Sequence, residues 1–185
     1  MIEEALSELQ ESNERTISAL KKELTKVRTG RAHVGILDGV RVDYYGSVSP
    51  LNQVASISVP DPRQICIKPW DRTLISVIER AILQADLGLM PSSDGELVRL
   101  NVPPLTTERR HELIRVIKRQ GEDAKVGIRN HRRDTNELLK ESEKEGIISE
   151  DASHTSMQKV QESTDAFVGQ VDDIINNKEQ EILED

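Results

Sequence analysis

Apolar positions recur along residues 2–28 in steps of four and three. Ile2, Leu6, Leu9, Leu20, Leu24 and Val27 carry the stripe, with Asn13 and Thr16 in register between them. That spacing predicts one amphipathic helix. Thr29-Gly30 ends it, because glycine suits the left-handed backbone just past a helix C-terminus. A second stripe runs through Arg110, Ile114, Ile117, Gly121, Ala124, Ile128, His131, Thr135 and Leu138. It predicts a long helix capped at Thr106 or Thr107 and stopped near Lys144 by Glu145-Gly146. A third runs through Ser153, Met157, Val160, Thr164, Phe167, Val171 and Ile174. Ser149 caps it, Glu150 and Asp151 sit in its favourable first turn, and it reaches about Leu183. At 1.5 Å per residue the helices span about 40, 58 and 52 Å. None can bury its stripe alone, so an up-down three-helix bundle is the economical arrangement.

The texture differs between residues 34 and 104, where all seven prolines fall. Gly39–Tyr45, Ala55–Val59, Gln64–Lys68 and Leu97–Val102 read as short strands. Pro60-Asp61-Pro62 reads as a turn between two of them. Asp71 is placed to cap a helix over 72–86, with Gly88 near its end. The expected fold is therefore α+β: an elongated antiparallel three-helix bundle from residues 1–30 and 105–185, with a small β/α/β domain inserted at 31–104. Two short crossings join the parts, near Gly30–His33 and Pro103–Thr106. Gly30, Pro103 and Pro104 are the candidate hinge residues, since the double proline continues neither a strand ladder nor a helix interior.

Composition narrows the class. With 185 residues the chain makes one large domain or two small ones. Aromatics are only 2%, so the core is Leu, Ile, Val and Ala, which suits long helical packing. The single cysteine, Cys66, forms no internal disulfide and fits a reducing compartment. The start, MIEEALSELQ, lacks the basic and apolar runs of a signal peptide, and no stretch approaches the ~20 apolar residues of a membrane span. A soluble, cytoplasmic protein without a membrane partner is expected.

Charge changes the picture further. The net charge is -8. Residues 1–107 carry 12 Lys+Arg against 14 Asp+Glu, net -2. Residues 108–133 carry 9 against 4, net +5, and residues 134–185 carry 4 against 15, net -11. A basic block between two non-basic ones points to an oriented polyanion contact. Its densest part is VGIRNHRRDTNE, where Arg129, Arg132 and Arg133 are helical neighbours. Together with Arg115, Lys118, Glu122 and Lys125 the first two form a ridge one residue off the apolar stripe, flanked by Arg119 and Arg133. A solvated face paired with acids is the plain reading, and the acidic third helix could neutralise part of the ridge. Glu122, however, is the only acid on the ridge itself, and arginine suits bidentate phosphate contact. Few aromatics interleave, so folded RNA held by backbone and shape fits better than stacked single strands. KVRTGRAH adds Lys26, Arg28 and Arg31 around Gly30. These either cap the helix end or form a second anchor about 35–40 Å from the first.

No phosphate-binding glycine loop, nucleophile elbow or metal spacing is present. His33, His111, His131 and His154 are scattered, and His131 falls on the apolar stripe as a packed residue. Cys66 sits in the strand-like ICIKPW. Tyr44 and Tyr45, in DYYG, either close a strand end on the small domain's core or offer a partner surface. Neither catalysis, a cofactor nor a metal is expected.

Five stretches, KVRTGRA, LDGVRVDYYG, ADLGLMPSSDG, PPLTTERR and RNHRRDTN, closely resemble the bacterial ribosome recycling factors, over essentially the whole chain and in the right order. The resemblance implies an L-shaped, two-domain, non-enzymatic factor working as a monomer. It implies binding to the post-termination ribosome and, with elongation factor G and GTP, its splitting into subunits with release of mRNA and tRNA. On this view the bundle meets large-subunit ribosomal RNA and the small domain faces elongation factor G. Arg129, Arg132 and Arg133 match the RNA-contacting arginines. Arg28, Gly30 and Arg31 match the helix-end motif, and Arg110 the arginine pair after the double proline. Tyr44-Tyr45-Gly46 matches a small-domain signature. The residues alone also allow an acidic helical scaffold for protein partners, or a general binder of structured RNA.

Overall fold

Long helices form where the apolar stripes run and short strands where the prolines collect. The computed structural model describes residues 1–184. The chain divides into two units, Met1–Arg28 with Thr107–Glu184, and Thr29–Thr106. The fold class is α+β.

The first unit holds α1 (Ile2–Thr25), α4 (Thr107–Lys144) and α5 (Glu150–Glu184). All three pack on one another. Asn13 meets His131 and Met1 meets Ser142, so α1 runs antiparallel to α4. The α4–α5 turn is closed at Gly146, which has φ 74°. The Gly146 N–H donates to the Glu143 carbonyl and the Ile147 N–H to that of Ser142, at 2.9 and 2.8 Å. This pattern of bonds past a left-handed glycine satisfies helix-end carbonyls. Ser149 then caps α5 by accepting from the Ala152 N–H at 3.1 Å.

Burial follows the stripes at first and then departs from them. Leu138, on the stripe read from sequence, is 44% exposed, while Leu139 is fully buried. Steps of four and three average 3.5 residues, but a straight helix has 3.6 per turn. The seam therefore drifts about 20° per heptad. After four heptads from Arg110 the next residue has rotated into the core. The same drift leaves Ile174 half-buried and buries Ile175 in α5. Leu9, Leu139 and Val160 form one buried cluster against Ile2, Leu6, Ile148 and Met157. Each fully buried aliphatic contributes about 1.5–3 kcal/mol. Buried Ser142, Ser156 and Thr164 donate their hydroxyls to carbonyls four residues back, at 2.7–2.8 Å, so these polar groups are satisfied within their own helices. Gly121 has a packing role, for a Cβ there would lie 2.7 Å from Ile175 Cγ1.

The second unit holds β1 (Arg41–Tyr44), β2 (Ser47–Pro50), the one-turn α2 (Leu51–Val54), β3 (Ala55–Asp61), β4 (Gln64–Pro69), α3 (Ile75–Gln84), β5 (Pro91–Ser93) and β6 (Val98–Asn101). β1 and β2 make a hairpin, and the other strands form an antiparallel sheet in the order β3-β4-β6-β5. Ile65 and Ile67 of β4 and Val98 and Leu100 of β6 point into a core shared with Ile78 and Ile82 of α3. Sequence pattern does not reveal β2 and β5, which are short and each contain a proline. α3 is also shorter than expected, because a 3-10 turn over Arg72–Leu74 precedes it. Asp71 caps that turn, accepting from the Thr73 N–H at 2.9 Å. The expected turn at Pro60–Pro62 lies at Pro62-Arg63, because Asp61 is still paired with Gln64. Both ends of the unit are tied to this turn: the Ala32 N–H donates to the Pro62 carbonyl at 2.6 Å and the Val102 N–H to that of Arg63 at 2.8 Å.

Candidate nucleic-acid interface

The middle turns of α4 hold Arg129, Arg132 and Arg133. Arginine is a good helix former, so the cluster costs the helix little in propensity. The three side chains line a cleft of about 400 Å³. Lys140 and Asn136 of α4 and Gln161 of α5 complete most of its wall. Glu137 is the one carboxylate there, against four cations.

The cations are held in an unusual way for so acidic a protein. Arg132 donates from Nη1 to Gln161 Oε1 at 3.2 Å. Gln161 in turn donates from Nε2 to Asp165 Oδ1 at 2.8 Å. Arg133 donates from Nη2 to Asn130 Oδ1. Arg129 is exposed. Among the described residues, none of the three pairs with a carboxylate. Amide oxygens orient two guanidinium groups while their charge stays uncancelled. Such an arrangement can bind an anion, and the planar guanidinium fork suits a phosphate.

Other residues of the sequence-derived ridge are placed differently. Lys118 pairs with Glu179 of α5 at 3.1 Å. Lys125 pairs with Asp172 of α5 and with Glu122 at 3.3 Å. The hydrogen bond from Lys125 to Asp172 raises its pKa above the ordinary lysine value, with partial burial working against the rise. These two lysines are thus committed to the α4–α5 seam. Arg110 reaches the far end of α5 and donates from Nη1 to the carbonyls of Ile182 and Leu183, at 3.2 and 2.9 Å. Unsatisfied carbonyls and the negative helix end both favour a cation there. Arg28 is exposed just past α1, in the bundle unit, while Arg31 is exposed in the β-rich unit.

In the β-rich unit Tyr44 and Tyr45 meet edge to face, with ring centroids 4.6 Å apart. Tyr44 packs against the core and Tyr45 is 84% exposed. Tyr45 and Gly46 have φ values of 51° and 80° at the hairpin tip. Positive φ at both central residues is the tight-turn geometry that matches strand twist, and it is unfavourable for a tyrosine. Tyr45 Oη donates to Asp71 Oδ2 at 3.4 Å. The charge of Asp71 raises the Tyr45 pKa above its ordinary value.

Sequence reasoning missed Gln161, Asn130 and Lys140. Gln161 is one of six amide residues along α5, and only helix register sets it apart from the others. Among the described residues no group of three His, Cys, Asp or Glu side chains is placed to hold a metal. None of the helices is long and apolar enough to cross a membrane.

Residues 20–183 match the family model for the ribosome recycling factor. The chain belongs to the ribosome recycling factor family. Such proteins are translation factors of protein biosynthesis and not enzymes. The ribosome-recycling factor of Exiguobacterium sibiricum is 50% identical over 184 residues, and that of Desulfosudis oleivorans 49%, each covering all of both chains. The solution structure of a ribosome recycling factor superposes with a TM-score of 0.78 at 34% identity, covering 100% of this chain and 98% of that one. A second structure describes the T. thermophilus ribosome recycling factor and the E. coli elongation factor G bound to the E. coli post-termination complex. It matches with a TM-score of 0.64 at 39% identity and 99% coverage of both chains.

Proposed function

We propose that this chain binds the post-termination ribosome in the cytoplasm and, with elongation factor G and GTP, drives its separation into subunits with release of mRNA and tRNA. The observation that carries this reading is the cleft of Arg129, Arg132 and Arg133, three guanidinium groups without a carboxylate partner among the described residues, in a chain of net charge -8. Large-subunit ribosomal RNA is the polyanion that fits it, met through backbone phosphates. Arg28 and Arg31 supply further phosphate contacts.

The factor does no bond chemistry in this scheme. It works as a wedge, and the partner GTPase supplies the energy. Gly30, Pro103 and Pro104 act as the hinge through which the β-rich unit is pushed. The exposed Tyr45 marks the surface on which elongation factor G bears. Residues read as hinge fit that role locally, since the backbone ties to the Pro62-Arg63 turn occur at Ala32, just after Gly30, and at Val102, just before Pro103.

Light scattering on post-termination ribosomes tests the reading. A fall in scattering should require this protein, elongation factor G and GTP together, and should be lost with Arg132→Ala. Undiminished scattering with folded protein and a cognate elongation factor would overturn it.

A further inference from the structure

We propose that Gln161, on the acidic helix α5, is a positioning residue for the phosphate-binding cleft: it aims Arg132 while keeping the guanidinium charge free for RNA. The inference rests on the reading of the arginine cleft as the RNA contact, and deepens it by making α5 part of the recognition device.

The α4–α5 seam shows what is special about this position. At two other points along it a cation of α4 meets a carboxylate of α5, Lys118 with Glu179 and Lys125 with Asp172. Residues 134–185 carry 15 acids, so a carboxylate opposite Arg132 would be unremarkable. The structure has an amide there instead. A carboxylate in reach of Arg132 would accept its fork bidentately and compete with any phosphate. An amide oxygen takes one donor of the guanidinium's five and leaves the rest, with the full charge.

Asp165 adds a second part. It lies one turn beyond Gln161 and accepts from its Nε2 at 2.8 Å. The amide therefore stands between the carboxylate and the guanidinium. It donates to the first and accepts from the second. A carboxylate polarising the amide strengthens the amide's hold on Arg132, because hydrogen bonds in series reinforce one another. Asp165 thus helps to aim the arginine without pairing with it. Arg133 repeats the arrangement within α4, held by the amide oxygen of Asn130. Two neighbouring arginines, each oriented by an amide in a strongly acidic chain, are what a site needs when it must keep both shape and charge before its ligand arrives.

The test compares full-length wild type, Gln161→Glu, Gln161→Leu and Arg132→Ala. Binding to large ribosomal subunits is measured across a salt series, with thermal melts of each variant. Gln161→Glu keeps the size of the side chain but pairs Arg132. Its melting temperature should stay close to that of wild type, the ion pair with Arg132 being offset by repulsion from Asp165 one turn on. Its affinity should fall about tenfold, and the slope of log affinity against log salt should flatten by roughly one phosphate contact. Gln161→Leu should bind several-fold more weakly with an unchanged slope, since orientation is lost and charge is kept. If Gln161→Glu binds as wild type while Arg132→Ala is weakened, Gln161 merely packs and the inference fails alone. Equal losses in both Gln161 variants, with neither slope altered, also overturn it. If Arg132→Ala itself binds as wild type, the cleft is not the RNA contact, and the reading beneath the inference falls with it.

Discussion

Asn13 of α1 and His131 of α4 meet across the bundle seam, with Oδ1 and Nδ1 3.0 Å apart. Asn13 is fully buried, and its Nδ2 has no hydrogen-bond partner among the described residues. The pair is thus only partly satisfied inside the bundle. His131→Leu should destabilise the protein by about 1–3 kcal/mol in urea unfolding, because it strands the buried amide of Asn13. Adding Asn13→Leu should recover most of that loss, since removing both polar partners is far less costly than removing one. If the double variant is as unstable as the sum of the singles, the contact is not a coupled pair.

Gly121 of α4 packs against Ile175 and Val171 of α5. A methyl group there would lie 2.7 Å from Cγ1 of the buried Ile175. Alanine gains up to about 1 kcal/mol of helix propensity over glycine. Overpacking costs about 1–3 kcal/mol and should dominate, because the contact is with a β-branched side chain that is itself buried. Gly121→Ala should therefore lower the melting temperature. Paired with Ile175→Ala it should cost less than the two single losses added together. A rise in melting temperature with Gly121→Ala would show that the helices can part at no cost.

The basic ridge should split into two functional classes. Arg129 lines the cleft without a partner among the described residues, whereas Lys118 is engaged by Glu179. Arg129→Ala should weaken ribosome binding and flatten its salt dependence by roughly one phosphate contact. Lys118→Ala should leave the slope nearly unchanged. Equal effects would mean that the whole ridge lies against RNA and that the ion pair opens on binding.

Acid should loosen the β-rich unit through Asp94. Its carboxylate accepts from the N–H groups of Leu97 and Glu96, at 3.0 and 3.1 Å, and pairs with Arg99 at 3.1 Å. The bond from Leu97 is the largest cause holding its pKa below the ordinary aspartate value. A lowered folded-state pKa stabilises the fold above the unfolded pKa, and that gain disappears as pH falls through the folded value. The stability difference between wild type and Asp94→Ala should be constant above pH ~4 and shrink below it. A difference that persists unchanged to pH ~2 would assign the effect to loop shape alone.

The helices and the arginine cluster are legible in the sequence because each depends on one local repeat. Thr107–Lys144 and Glu150–Glu184 could be read from their stripes and end signals. Long helices still defeat a fixed repeat, as Leu138 and Leu139 show, because the drift is small per turn and large over ten turns. The short strands Ser47–Pro50 and Pro91–Ser93 are specified by their partners, Arg41–Tyr44 and Val98–Asn101, and their own residues carry little strand signal. Arg129, Lys118 and Lys125 look equivalent along α4. Only the register with α5 separates them, by setting Glu179 and Asp172 opposite the lysines and Gln161 opposite Arg132. That information lies some 30 to 60 residues away in the chain, where periodicity says nothing.

The Pro62-Arg63 turn has a mechanical meaning as well. It accepts the Ala32 N–H on one carbonyl and the Val102 N–H on the next. Tension entering the β-rich unit from either end of its chain arrives at adjacent peptide groups. From the Val102 end the load also enters the sheet, because β6 pairs with β4 up to Asn101 and Gln64. The β3–β4 turn thus clasps the two ends of the unit side by side, on neighbouring residues.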